Sequence, residues 1–301
     1  MKRLSLFFVL IGLLFTTSCK LQKEGLVLMT DTSYKASVFA TNASMGFGSP
    51  DGLVWHKGKL YLADEGGSAL EVWNKADGLK TLLDSSFGVS SPEKLVVDAE
   101  GNVFFTDDDA GGLWEVDARG NQRLVAGKDK GLISTKGIAL APDGSLLVGD
   151  NEQHEVFRVT RDGAVSEFLG KEYGITRPES MVYDDKGNLY IADEEDNVLY
   201  LLDPNHQLHR VIDRKDSFSP EGLCYFNGSL YIADEHFGKV YVYTPNNELK
   251  PIATFGGNLR VLQGIAVDDR GDIYVAVQTD LKHKVGHIIK LSKENTEVAA
   301  K

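Results

Sequence analysis

Cysteine is nearly absent. The 301 residues hold two, Cys19 and Cys224, so no disulfide framework carries the fold, and a core of this size does not need one. Positive charge is also short, with 32 Lys and Arg against 44 Asp and Glu, a net charge of −12. That excludes sequence-independent binding to DNA or RNA, which needs a basic face. It leaves cations and neutral small molecules as ligands. Helical periodicity is missing beyond the first residues, and no linker or low-complexity stretch divides the chain. The fixed-spacing signatures of G-x-S-x-G hydrolases, HExxH metalloproteases, Walker loops and dinucleotide-binding folds are missing too. Any chemistry must come from residues the fold gathers.

What is present is a repeat of about 43 residues in six copies. SPDGLVWHKGKLYLADE starts at Ser49, SPEKLVVDAEGNVFFTDDD at Ser91 and STKGIALAPDGSLLVGDNE at Ser134. RPESMVYDDKGNLYIADEE starts at Arg177, SPEGLCYFNGSLYIADEH at Ser219 and LQGIAVDDRGDIYVAVQ at Leu262. A fixed period of this size marks a solenoid or a propeller. Each copy reads as β. In the fourth, short apolar runs at Ser180–Tyr183, Leu189–Ala192 and Val198–Leu202 are separated by polar turns, and Leu208–Ile212 alternates more loosely, as an outer strand does. Four short antiparallel strands cannot bury both faces alone, whereas six such sheets packed radially can. The expected fold is therefore an all-β six-bladed propeller over residues 34–292. The sixth copy has a weak fourth strand. The segment Tyr34–Ala40 aligns with the outer strands of other copies and is expected to complete the last blade.

The ends read differently. Met1-Lys-Arg is a charged start, Leu4–Phe15 is an apolar stretch too short to span a bilayer, and Thr16-Thr-Ser-Cys19 follows. This resembles the lipobox of bacterial lipoproteins, which implies a signal peptide over 1–18, lipidation of Cys19, a tether over 19–33 and a location in the cell envelope. Residues 293–301 read as a tail. Cys224, in the inner strand of blade five, reads as a buried apolar residue.

Two registers of polar residues recur. The first is the Asp ending each second strand, namely Asp64, Asp107, Asp150, Asp193 and Asp234, with Val277 in blade six. It reads as scaffold, a carboxylate accepting from backbone N–H groups. The second precedes each first strand and varies: Asp51, Glu93, Lys136, Glu179, Glu221 and Gln263. The innermost strand of a propeller lines the channel, so these six side chains are expected to converge on one channel mouth. Crowded carboxylates stay ionised only beside a cation, which is a metal, Lys136 or both. The plain alternative is a polar, water-filled mouth without chemistry. Turns on the same face add Glu65, Asp108, Asn151, His154, Glu194, Asp196, Glu235, His236 and His283. Each His there is a base, a ligand or an ordinary loop residue.

The repeats GNLYIAD at Gly187–Asp193 and GSLYIAD at Gly228–Asp234 resemble NHL-type propellers. The phrases SPDGLVW, SPEGLCY and QGIAVDDRGDIYVAV resemble the SMP-30/gluconolactonase-like group, six-bladed propellers that include lactone hydrolases. The resemblance implies one divalent metal at the channel mouth, held from blades one, four and five, which places Asp51, Glu179 and Glu221 as its ligands. A further polar residue on blade three faces the substrate, here Lys136. Oxygen-only ligation favours calcium or magnesium over zinc. The implied activity is metal-assisted opening of a lactone or related ester, with Glu93 or His236 as base and Lys136 stabilising the oxyanion. Lys136 is also a candidate to take the metal's place by pairing with the acids. The alternative function is a non-catalytic NHL-type propeller, lipid-anchored, that binds a small molecule or protein partner. A monomer is expected, with the membrane reached only through the N-terminal lipid.

Overall fold

The computed structural model describes residues 21, 26–214, 216–259, 261–280, 282 and 285–293. Cys19 with the apolar leader, His283, and residues 294–301 lie outside the described residues. No helix among the described residues is long and apolar enough to cross a membrane.

Six antiparallel sheets stand in a ring. Blade one consists of Pro50–His56, Lys59–Asp64, Ala69–Asn74 and Gly78–Leu83, and each later repeat builds its sheet in the same order. The inner strands touch in sequence, and Val261–Val267 of blade six meets Pro50–His56 of blade one, which closes the circle. Closure is completed as expected. Tyr34–Thr41 pairs with Val285–Lys293 as the outer strand of blade six, so that blade combines both ends of the propeller. One element departs from the expected boundaries. Val27–Met29, read as tether, adds a fifth strand to blade five opposite Ala253–Phe255. Val27 is buried there while Leu28 stays exposed, a pattern of three residues too short for periodicity to reveal.

The core lies in layers between blades. Along the second strand of blade one, Leu60 and Leu62 pack toward blade six while Tyr61 and Ala63 pack toward blade two. That two-residue alternation lets one strand serve two interfaces. Each fully buried Leu or Phe in these layers contributes about 1.5–3 kcal/mol. The inner strands approach so closely that a side chain is barred at some positions. A Cβ on Gly264 would lie 2.3 Å from the Asp51 carbonyl oxygen, and one on Gly222 would lie 2.3 Å from that of Gln263.

Candidate functional site at the channel mouth

The recurring Asp is scaffold, as its register suggested. Asp107 accepts from the backbone N–H groups of Ser90 at 2.8 Å, Ser91 at 3.0 Å and Ala110 at 3.0 Å. Asp64, Asp150 and Asp193 likewise accept from Gly48, Ile133 and Thr176, each at 2.7 Å. These bonds tie the segment before each inner strand to the turn after the second strand, and so fix where the inner strand begins.

The varying register sits just after that anchor. In every blade the pairing of first and second strands slips at this point: between Pro50 and Gly52, Pro92 and Leu95, Thr135 and Ile138, Pro178 and Ser180, Pro220 and Gly222, and Leu262 and Ile265. A bulge leaves the extra residue out of the ladder and re-aims its side chain. Asp51, Glu93, Lys136, Glu179, Glu221 and Gln263 thereby line one cavity of about 130 Å³, shared with Glu65, Arg177, Glu194 and Glu235. The six residues do converge. Beneath them a second cavity of about 280 Å³ runs into the channel between apolar side chains such as Val54, Met181 and Ile265.

The protein supplies cations of its own to the mouth. The residue after Glu93, Lys94, sends its ammonium to Asp51 and to Glu221 Oε1 at 2.6 Å. All three side chains are less than one-tenth exposed. Lys136 Nζ lies 3.3 Å from Glu93 Oε2, 3.7 Å from Asp108 Oδ2 and 3.9 Å from Glu179 Oε2. Its side chain is 20% exposed, the most open of the ring's ammonium groups. Arg177 bridges Glu179 at 2.9 Å and Glu194 at 3.0 Å. Asn151 donates to Glu179 Oε1 at 2.7 Å, while Glu179 Oε2 has no hydrogen-bond donor.

Eight carboxylates (Asp51, Glu65, Glu93, Asp108, Glu179, Glu194, Glu221 and Glu235) thus face three cations (Lys94, Lys136 and Arg177). The imbalance shows in the acids. Burial, with Asp51 nearby, drives the Glu93 carboxyl well above the usual carboxylate range. Burial and the charges of Glu221 and Glu194 push Glu235 up to about 8. Burial alone would strip a proton from Lys94 or Lys136, but the surrounding carboxylates outweigh it and hold both ammonium groups charged.

Asp51, Glu179 and Glu221 do not fit a divalent ion as they stand. Two are joined by Lys94, and the third is engaged by Arg177 and Asn151. Lys94, rather than the expected Lys136, is the ammonium that joins Asp51 to Glu221. A different group does present converging donors: Glu194, Glu235 and His236, whose ligand atoms lie within 4.8 Å of one another. His236 Nδ1 lies 3.5 Å from Glu194 Oε1 and 3.6 Å from Glu235 Oε2, and it is steadied by Ser219 Oγ at 2.6 Å. His154 belongs to neither set; its Nδ1 meets the Thr176 carbonyl at 2.6 Å. Cys224 is a free thiol that packs against the apolar core as expected but is only partly buried, its pKa pushed up to about 11 by desolvation.

Lys94 and Arg177 are what sequence reasoning missed. Lys94 had a signal. The residue after the ring position is Gly52, Gly137, Ser180, Gly222 and Gly264 in the other blades, so a Lys in that register stands alone.

Comparison with known proteins places the chain. The model of the SMP-30/gluconolactonase/LRE-like region matches residues 49–299. No curated protein matches. Among solved structures, a gluconolactonase from Xanthomonas campestris is 15% identical, covers 89% of this chain and 95% of its own, and superposes with a TM-score of 0.72. Virginiamycin B lyase from Staphylococcus aureus is 14% identical, covers 86% and 99%, and gives 0.64. Regucalcin from Agrobacterium tumefaciens, described as a calcium-binding protein, is 16% identical, covers 82% and 92%, and gives 0.63. At such identities the likeness is one of fold.

Proposed function

The chain belongs to the SMP-30/gluconolactonase/LRE-like family, and on that footing we propose that its channel mouth binds a small lactone or related ester and opens it by hydrolysis. The observation that carries this reading is the meeting of an accessible ammonium and an acid shifted far upward in one polar cavity. Lys136 faces Glu93 there across 3.3 Å. Shifted acids beside a fixed charge in a cleft are a common mark of acid–base sites.

Lys136 donates hydrogen bonds to the substrate carbonyl and holds the oxyanion that forms when water adds to it. Glu93, whose carboxyl pKa is raised by burial, takes the proton that the attacking water gives up and returns it to the alkoxide that departs as the ring opens. Gln263, which donates to Glu235 at 3.2 Å, and Arg177 orient the neighbouring carboxylates around the substrate. The family and the fold shared with a calcium-binding regucalcin support a divalent ion in this reading. Glu194, Glu235 and His236 are the residues that would hold it. When bound, such an ion would polarise the ester carbonyl and acidify a water molecule. Its mixed nitrogen and oxygen donors broaden the choice beyond calcium to zinc or manganese.

The test is hydrolysis of a lactone and ester panel by the protein lacking residues 1–19, with calcium, zinc or manganese and with chelator. Turnover that the chelator abolishes and that Glu235→Gln loses supports the reading. No turnover under any condition contradicts it.

One observation favours a second reading. Lys94 locks the centre of the ring in ion pairs. A mouth so fixed suits a propeller that binds a small polar molecule without transforming it, for which ligand-induced thermal shifts without turnover are expected. In either case we place the protein as a monomer tethered to the cell envelope through lipidated Cys19. The support is the charged start, apolar stretch and Cys19 of the leader. Mass spectrometry of the membrane fraction, with release of the protein by Cys19→Ala, tests this.

A further inference from the structure

We infer that Lys94 is a built-in cation that permanently fills the ion position between Asp51 and Glu221, so that no divalent metal binds this ring. The reaching distance comes first. Lys94 belongs to blade two and Glu221 to blade five, which face each other across the channel, and the ammonium meets Glu221 Oε1 at 2.6 Å while also contacting Asp51 of blade one. The stem of Lys94 lines the apolar cavity below, so its charged end sits at the boundary between that cavity and the polar mouth.

Blade two is altered to hold this side chain. The other blades carry Gly or Ser after the ring residue, and a Cβ on Gly52 would strike the Glu93 carbonyl oxygen at 2.5 Å. The residue before the recurring Asp is Ala63, Gly149, Ala192, Ala233 or Ala276 elsewhere, but Thr106 in blade two. Thr106 is fully buried, and its hydroxyl accepts from the Lys94 backbone N–H at 3.2 Å and donates to the Lys136 carbonyl. It ties the Lys94 backbone to that of the neighbouring inner strand. One ammonium within hydrogen-bond reach of two carboxylates supplies the countercharge that an ion would otherwise supply.

The readout is bound metal, so the outcome does not depend on whether the cavity hydrolyses a lactone. The Glu235→Gln background removes the Glu194, Glu235 and His236 group from the measurement. In that background the protein with Lys94 is expected to bind neither calcium nor zinc by calorimetry, and its melting temperature should not respond to them. Lys94→Ser, which copies blade four, is expected to gain one ion per chain and a melting temperature about 5 °C higher at a hundredfold excess of metal over the dissociation constant. Glu221→Gln should erase the gain. If Lys94→Ser folds only with metal, that also supports the assignment; Lys94→Gln, which keeps the stem, then serves for calorimetry. Stoichiometric binding to the protein with Lys94 that Asp51→Asn or Glu221→Gln removes would overturn it. So would folded Lys94 variants that gain no site.

Discussion

The Lys94 ammonium lies 2.6 Å from the Glu221 carboxylate, joining blades two and five across the channel below the acidic mouth. Both side chains are buried, at 7% and 6% exposure. Removing one member of such a pair strands the other charge in a medium that cannot solvate it. Lys94→Met is therefore expected to lower stability by about 3–5 kcal/mol in urea unfolding. A loss below about 1 kcal/mol, the range of exposed pairs, would show the bridge to be solvated.

The repeating Asp gives a prediction about scaffold. Asp107 holds three backbone N–H groups that have no place in a strand ladder. Asp107→Ala is expected to destabilise by about 2–4 kcal/mol, because the buried Ser91 donor and two part-buried donors would be left unpaired. Thermal melting measures this; a variant as stable as the parent would mean that water replaces the carboxylate.

Most of this architecture was legible in the sequence. The 43-residue spacing marked the blades, the likeness of Tyr34–Ala40 to the outer strands of other copies marked the closing strand, and comparing the same position across copies separated scaffold Asp107 from variable Glu93. Lys94 lies one residue beyond the ring register, at a position where glycine is otherwise the rule. Its role rests on a reach across the channel, which no local pattern encodes. Arg177 was hidden for a similar reason: its partners Glu179 and Glu194 are brought together only by the turn of blade four. Val27–Met29 was lost because three residues carry no period.

Glu71 predicts a pH dependence remote from the mouth. Burial, reinforced by Asp64, raises its carboxyl from 4.5 to about 7, and Glu71 Oε2 has no hydrogen-bond partner. Below pH 4.5 it is protonated in folded and unfolded chains alike. Between about 4.5 and 7 the unfolded chain ionises first, so stability falls as pH rises, and the loss is complete above 7. Glu71→Gln removes a group that must ionise. It is expected to be near neutral at pH 4.5 and stabilising by about 3 kcal/mol at pH 8, read from urea midpoints. An effect equal at both pH values would contradict the burial account.

Lys136 carries the central claim, that the channel mouth acts on a carbonyl through a fixed ammonium. The most direct measurement is kcat/KM for the best lactone substrate, compared between the parent and Lys136→Met, with circular dichroism to establish that both are folded. A fall of about 100-fold or more, chiefly in kcat, is expected for a lost oxyanion donor. Unchanged kcat/KM in the folded variant would place the chemistry elsewhere.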